Sequence, residues 1–275
     1  MNIGQLNTLT VTRLTPAGAY LGNNEGDEAL LVKPNGELAV GHSLTVFVYR
    51  FGDGSLGASE QTPLAQCGEV AELTVSEVND TGAFLDWGLD KQLLLPHGEQ
   101  LGRVSAGKPV IVKLYLDQQQ RIVASMRLDR HLEERVPALR PGQPVQLLVA
   151  KRTELGYKCV VNHRYWGLLY HSELEGSLQF GQRLEGWVKY RRPDRRLDVT
   201  LEAPRHQQID DIAELILLKL EANDGFLALG DKSPPEAIKR LFGVSKKAFK
   251  TALSRLYKQR RIVITDQGIE LPRPG

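Results

Sequence analysis

A chain of 275 residues with 41% hydrophobic and 25% charged content has an ordinary globular composition, long enough for about two to four small domains. No apolar run approaches the length of a membrane span, and Met1–Gln5 has neither a charged nor an apolar signal region, so a cytoplasmic protein with no membrane partner is expected. The net charge of +2 hides a division: residues 1–135 carry 11 Lys/Arg and 17 Asp/Glu, a net of −6, whereas residues 136–275 carry 24 and 16, a net of +8. A polyanion, if one is held, belongs to the second half. Two cysteines, Cys67 and Cys159, lie in separate segments and read as reduced thiols.

From the N-terminus onward the chain repeats itself. Three openings align, at Gly4-Gln5-Leu6, Gly68-Glu69-Val70 and Gly142-Gln143-Pro144. Fourteen residues after each opening glycine stands another, at Gly18, Gly82 and Gly156. Paired leucines follow at Leu30-Leu31, Leu93-Leu94 and Leu168-Leu169, and then Gly41, Gly107 and Gly181, each ahead of an alternating apolar and polar run. Four landmarks kept in register three times define a repeat. Alternation predicts strands with one buried face, and the glycines predict tight turns or bulges. Five short antiparallel strands in about sixty residues match a small closed barrel of the OB type, which leaves one face free for oligonucleotides.

The segments Thr81-Gly82-Ala83-Phe84-Leu85 and Gly167-Leu168-Leu169-Tyr170-His171-Ser172-Glu173-Leu174 resemble the S1 RNA-binding domain. Three such units followed by a winged helix resemble the conserved virulence factor B family of bacterial RNA-binding proteins. The resemblance implies an RNA face in each unit, built from an aromatic residue, a His, an Asp and an Arg. Repeat two offers Phe84, Asp117 and Arg121, with Pro96 in place of the His. Repeat three offers Lys158 in the aromatic position, Tyr170 in the His position, and Arg192 and Arg196 in place of the Asp and Arg. Repeat one offers Tyr20, but Phe51 and Ser55 stand where the Asp and Arg belong, so it is expected to be architectural.

Between units two and three, residues 129–140 form a charged connector closed by Pro137, expected to be a short helix or irregular. Beyond Pro204 the period becomes helical, through Ile209, Ile212, Ala213, Leu215, Ile216 and Leu220. A short strand at Gly225–Leu229 precedes a helix opened by Ser233-Pro234-Pro235, with Ser233 expected as N-cap and Gly243 as its end. Ser245 caps a third helix reaching about Gln259, and a hairpin turns at Asp266-Gln267. This is winged-helix order, a helix-turn-helix variant. The expected fold is therefore mainly β with a C-terminal α+β domain: S1/OB-type five-stranded barrels over 1–63, 64–128 and 141–203, the connector at 129–140, and a winged helix over 205–275.

The functional expectation rests on aromatic residues interleaved with cations, a surface on which bases stack while phosphates are neutralised. Repeat three carries Lys158, Trp166 and Tyr170 together with Lys189, Arg191, Arg192, Arg195 and Arg196. Trp166 and Tyr170 share strand parity and are expected to face out. The third helix of the winged domain adds Lys246, Lys247 and Lys250, within a span from Val244 to Ile262 that has seven Lys/Arg and no acid. Enzymatic readings find little support. Cys159, His163 and His171 lack a fourth metal ligand, and no phosphate loop, nucleophile elbow or carboxylate pair is present. No metal or cofactor is expected. The leading expectation is a non-enzymatic protein that holds single-stranded RNA and regulates gene expression after transcription. The alternatives are a winged-helix DNA-binding regulator and an adaptor docked on the ribosome or RNA polymerase.

Overall fold

A computed structural model describes residues 1–23, 25–136 and 139–272. Contacts divide the chain into two compact units, Met1–Leu201 and Glu202–Gly275. The first contains three closed barrels. Barrel 1 comprises β1 (Leu6–Thr15), β2 (Gly18–Gly22), β3 (Glu28–Leu31), β4 (Ser43–Arg50) and β5 (Leu56–Ser59). Barrel 2 comprises β6 (Val70–Asn79), β7 (Gly82–Asp86), β8 (Leu93–Pro96), β9 (Pro109–Leu116) and β10 (Ile122–Ser125). Barrel 3 comprises β11 (Pro144–Arg152), β12 (Gly156–Val161), β13 (Tyr165–Tyr170), β14 (Arg183–Arg191) and β15 (Leu197–Thr200). In each, the first strand pairs with both the second and the fourth, and the third runs parallel to the fifth. Every strand is therefore paired on both sides, and no sheet edge is left open.

The repeated glycines have a local cause. A Cβ on Gly18, Gly82 or Gly156 would lie 2.2, 2.6 or 2.0 Å from the carbonyl oxygen of Leu31, Leu95 or Leu169, respectively. The facing strand comes too close for any side chain. The long first strand also shifts register at one equivalent place in each barrel, between Val11 and Arg13, Val75 and Glu77, and Val149 and Lys151. Such a bulge bends the strand so that it can serve two neighbours.

Barrels 1 and 2 share a core. Phe47 of β4 is fully buried and meets Trp87 edge to face, with ring centroids 5.4 Å apart. Barrels 2 and 3 share another, in which Val70 and Ile111 pack with Leu148, Val160 and Trp166. The connector, with Leu128 just ahead of it, enters that core through Leu132. It is a single 3-10 turn (Leu128–Arg130) followed by a parallel bridge from Glu133 to Tyr165. Val136 then enters the core of barrel 3. Pro137 and Ala138 lie outside the described residues. The connector is thus docked through its first half rather than spanning open space.

Polar groups secure the same junction. Val70 N–H donates to His163 Nδ1 at 3.0 Å, and Lys113 Nζ donates to the His163 carbonyl at 2.8 Å and to that of Gly68. Burial holds the pKa values of His163 and Lys113 below their ordinary values. Both cysteines are free, and burial pushes each thiol up to about 12.

The second unit runs α1 (Arg205–Glu221), β16 (Phe226–Leu227), α2 (Pro235–Phe242), α3 (Lys246–Lys258), β17 (Val263–Thr265) and β18 (Gly268–Glu270). Its sheet order is β16-β18-β17. Ile216, Leu220, Ile238, Phe249, Leu253 and Leu256 form its core. Ser245 caps α3 by accepting from Ala248 N–H at 3.3 Å, and Gly243 ends α2 in the left-handed region. The expected cap at Ser233 is corrected: Pro234 is the N-cap, and Ser233 Oγ instead accepts from Gly230 N–H at 2.8 Å. Among the described residues no helix is long and apolar enough to cross a membrane.

Candidate nucleic-acid interface

The hairpins that close the barrels establish which positions correspond. The backbone amide of Phe51 donates to Ser55, that of Asp117 to Arg121 and that of Arg192 to Arg196, each at 2.9 Å. On the second strand, Tyr20 faces Leu30, Phe84 faces Leu94 and Lys158 faces Leu168. The three barrels thus present the same positions with different chemistry.

Barrel 1 closes its own face. Arg13 lies over the Tyr20 ring, 3.3 Å from the centroid, and is ion-paired to Glu28 at 3.1 Å. Barrel 2 retains a half-buried Phe84 and an Asp117–Arg121 pair. Asp117 accepts from the Gln119 and Arg121 amides at 2.8 and 2.9 Å and from Arg121 Nε at 2.8 Å. Burial alone would raise the Asp117 carboxyl, but these donors outweigh it and hold the group below its ordinary value. The pair fixes the guanidinium at the barrel rim.

Barrel 3 has a cleft of about 490 Å³ lined by Lys158, Trp166, Arg192, Arg196, Asp198 and Glu134, among others. Four of the residues expected from the sequence converge there: Lys158, Trp166, Arg192 and Arg196. Tyr170 joins them through its hydroxyl, 3.5 Å from both carboxylate oxygens of Asp198. Burial raises the Asp198 carboxyl, against the pull of Arg192, Tyr170 and Lys189. Asp198 had no counterpart in the sequence expectations. A carboxylate in the middle of this face would accept from base amino or imino groups and repel phosphate.

The exposure expected for Trp166 is corrected. Its parity is outward, as Tyr165 and Leu169 fill the barrel core while Trp166 does not. Yet only 8% of it is exposed, because it is packed in one cluster with Leu128, with Leu132 of the connector and with Val70 and Ile111 of barrel 2. Lys158 Nζ sits 4.1 Å from the centroid of its ring, which further limits stacking.

The cations of this face are already answered by acids. Lys158 meets Asp129 at 3.0 Å and Glu134 at 3.9 Å, and Arg196 meets Glu134 at 3.2 Å. Lys189 meets Glu173 at 2.8 Å, and Arg192 meets Asp194 at 3.4 Å. Arg191 donates to the Val136 carbonyl at 3.4 Å, whereas Arg195 is exposed at the hairpin tip in the left-handed region. Tyr190, half exposed and next to Arg191 in the chain, is an aromatic residue not among those expected from the sequence. His171 is structural: its Nε2 bonds the Thr153 carbonyl at 3.0 Å, as His97 does with Asn79 in barrel 2. Cys159 faces the core, where its Sγ donates to the Tyr157 carbonyl at 3.6 Å.

On the winged helix, Lys247 and Lys250 are exposed and Lys246 is partly buried. Lys250 lies 3.7 Å from Asp231. Arg255 and Arg261 are tied to Asp210 and Glu214 of α1, each at 2.7 Å, and so brace the domain.

Comparison with known proteins fits this architecture. An S1 domain model matches residues 3–60 and 67–127, and a CvfB-like winged helix domain model matches residues 214–271. A Staphylococcus saprophyticus protein named conserved virulence factor B is 25% identical over 286 residues, covering 99% of this chain and 95% of that relative. One from Staphylococcus aureus is 26% identical over 294 residues, with the same coverage. The chain belongs to the conserved virulence factor B family. A solved Streptococcus pneumoniae structure, described as a multidomain protein with nucleic acid binding domains, is 26% identical, covers 98% of each chain and gives a TM-score of 0.40. The family's S1 and winged-helix parts are nucleic-acid-binding modules rather than enzymes.

Proposed function

We propose that the protein holds single-stranded RNA on the open face of barrel 3, with the winged helix adding a second basic surface, and that it regulates gene expression after transcription. The observation that supports this most is the convergence of Lys158, Arg192 and Arg196 with Tyr170 around one cleft. Phosphates run along Arg191, Arg192, Arg195 and Arg196, while Lys158 and Lys189 reach them by exchanging their own carboxylates. Bases lie on Tyr170, which is partly buried, with Asp198 as acceptor. Lys246, Lys247 and Lys250 bind phosphate without reading sequence. Ordering by backbone charge and stacking predicts weak sequence preference and steep salt dependence.

Titration of labelled single-stranded RNA, single-stranded DNA and duplex DNA at several salt concentrations tests the reading. RNA binding that weakens steeply with salt is expected. Preference for duplex DNA would overturn it in favour of a DNA-binding regulator, and absence of binding at low salt would favour an adaptor.

A further inference from the structure

We infer that barrel 1, whose own S1-type face is closed, completes a separate pocket with barrel 2 that accepts an unstacked base of single-stranded RNA. The inference rests on the RNA reading above; Phe84 and Arg121 are the residues that the S1 resemblance assigns to barrel 2, and what is new is the contribution of Tyr49 and Phe51 from barrel 1. A cleft of about 540 Å³ lies between the two barrels. Barrel 2 contributes Phe84 and Arg121, and the β4–β5 hairpin of barrel 1 contributes Tyr49 and Phe51.

The two rings of barrel 1 form a built platform. They meet edge to face with centroids 5.2 Å apart, and both lie on the backbone of Gly57. A Cβ at Gly57 would stand 2.7 Å from each ring, so the glycine is what lets them settle there. Tyr49 and Phe51 are only partly buried. Two partly buried aromatic rings that line one cleft suit a planar ligand.

Charge identifies that ligand further. Barrels 1 and 2 belong to the acidic half of the chain, yet the cleft reverses this locally: Lys33, Arg50, Lys91 and Arg121 line it against Glu60 and Asp90. Arg121 is held in place by Asp117 and remains largely exposed. Rings below, cations at the rim and two carboxylates for amino groups are the requirements of a nucleotide within a strand. The volume also lies in the range of small-molecule pockets, large enough for a base with its sugar.

The test uses the full chain and a short oligouridylate carrying a photoreactive 5-iodouridine, with crosslinked peptides mapped by mass spectrometry. Adducts are expected on two surfaces, one in barrel 3 and one on a peptide containing Phe51 or Phe84. Phe51→Ala should abolish the second adduct, leave the first, and weaken binding about five-fold or more. Arg121→Glu, at an exposed position that leaves the packing intact, should do the same if the platform variant folds poorly. Adducts confined to barrel 3, with both variants binding like the parent, would overturn this inference and leave the RNA reading standing. Adducts only in the cleft would uphold it and move the principal site away from barrel 3. No binding by the parent would overturn both.

Discussion

Two clefts of similar size, one on barrel 3 and one between barrels 1 and 2, are built in opposite ways. The barrel 3 cleft is rich in cations, but each of Lys158, Lys189, Arg192 and Arg196 already faces a carboxylate, and its largest aromatic is covered. The other has partly buried rings, and of its cations Arg121 faces the Asp117 carboxylate while Lys33, Arg50 and Lys91 form no ion pair among the described residues. Composition alone ranks barrel 3 first because it counts charges without their partners. In a folded chain the relevant quantity is the charge a ligand gains beyond what it must displace.

Substitutions can separate these two designs. The largest effect belongs to Trp166→Ala. A side chain packed between barrels 2 and 3 should cost about 3–5 kcal/mol of stability, read as a lower denaturant midpoint. RNA affinity of the folded fraction should stay near that of the parent; a large affinity loss with unchanged stability would restore Trp166 as a stacking residue. Next, Arg192→Glu with Arg196→Glu should reduce RNA affinity by about 100-fold or more and flatten the log–log salt slope by about 1.4, two single-strand phosphate contacts. An unchanged slope in anisotropy titrations would remove both residues from the phosphate path.

A smaller effect is expected in the opposite direction. Glu134→Gln releases Lys158 and Arg196 from their shared carboxylate and should tighten RNA binding about two- to five-fold, the range of an exposed ion pair. Weaker binding would mean that Glu134 orients the cations instead of competing for them. The smallest effect is pH-dependent. Burial lowers the folded-state pKa of His163 from its ordinary 6.5, so below that value the unfolded chain takes up more protons. Its stabilisation is complete above 6.5 and is lost as pH falls through the lowered value. Thermal unfolding followed from about pH 7 to about pH 5 should show a falling midpoint, and His163→Gln should flatten that fall.

Much of the architecture was legible because barrel closure requires a glycine wherever a strand passes against a carbonyl. Gly18, Gly82 and Gly156 record that requirement at constant spacing. The corresponding positions of the three faces were also legible, since the hairpins close at equivalent residues. Trp166 shows the limit. Strand parity tells which side of its own barrel a residue faces, but not whether a neighbouring segment covers that side. Tyr49 and Phe51 show another: compared with an Asp and Arg pattern, Phe51 reads only as a departure, and its use depends on a second barrel. Ser233 was misplaced for a local reason, since consecutive prolines shift the helix start and free the hydroxyl for another turn.

The docked connector has a consequence for synthesis. Glu133 extends the sheet beside Tyr165, and Val136 fills part of the barrel 3 core while its amide donates to the Arg195 carbonyl at 3.0 Å. These residues leave the ribosome before β11 does. Barrel 3 therefore closes onto a segment already tethered to a neighbour that can fold first, shortening the search its late-emerging strands must make. A fragment cut at Pro141 would lack that wall, so its binding behaviour would not stand for that of the intact third barrel.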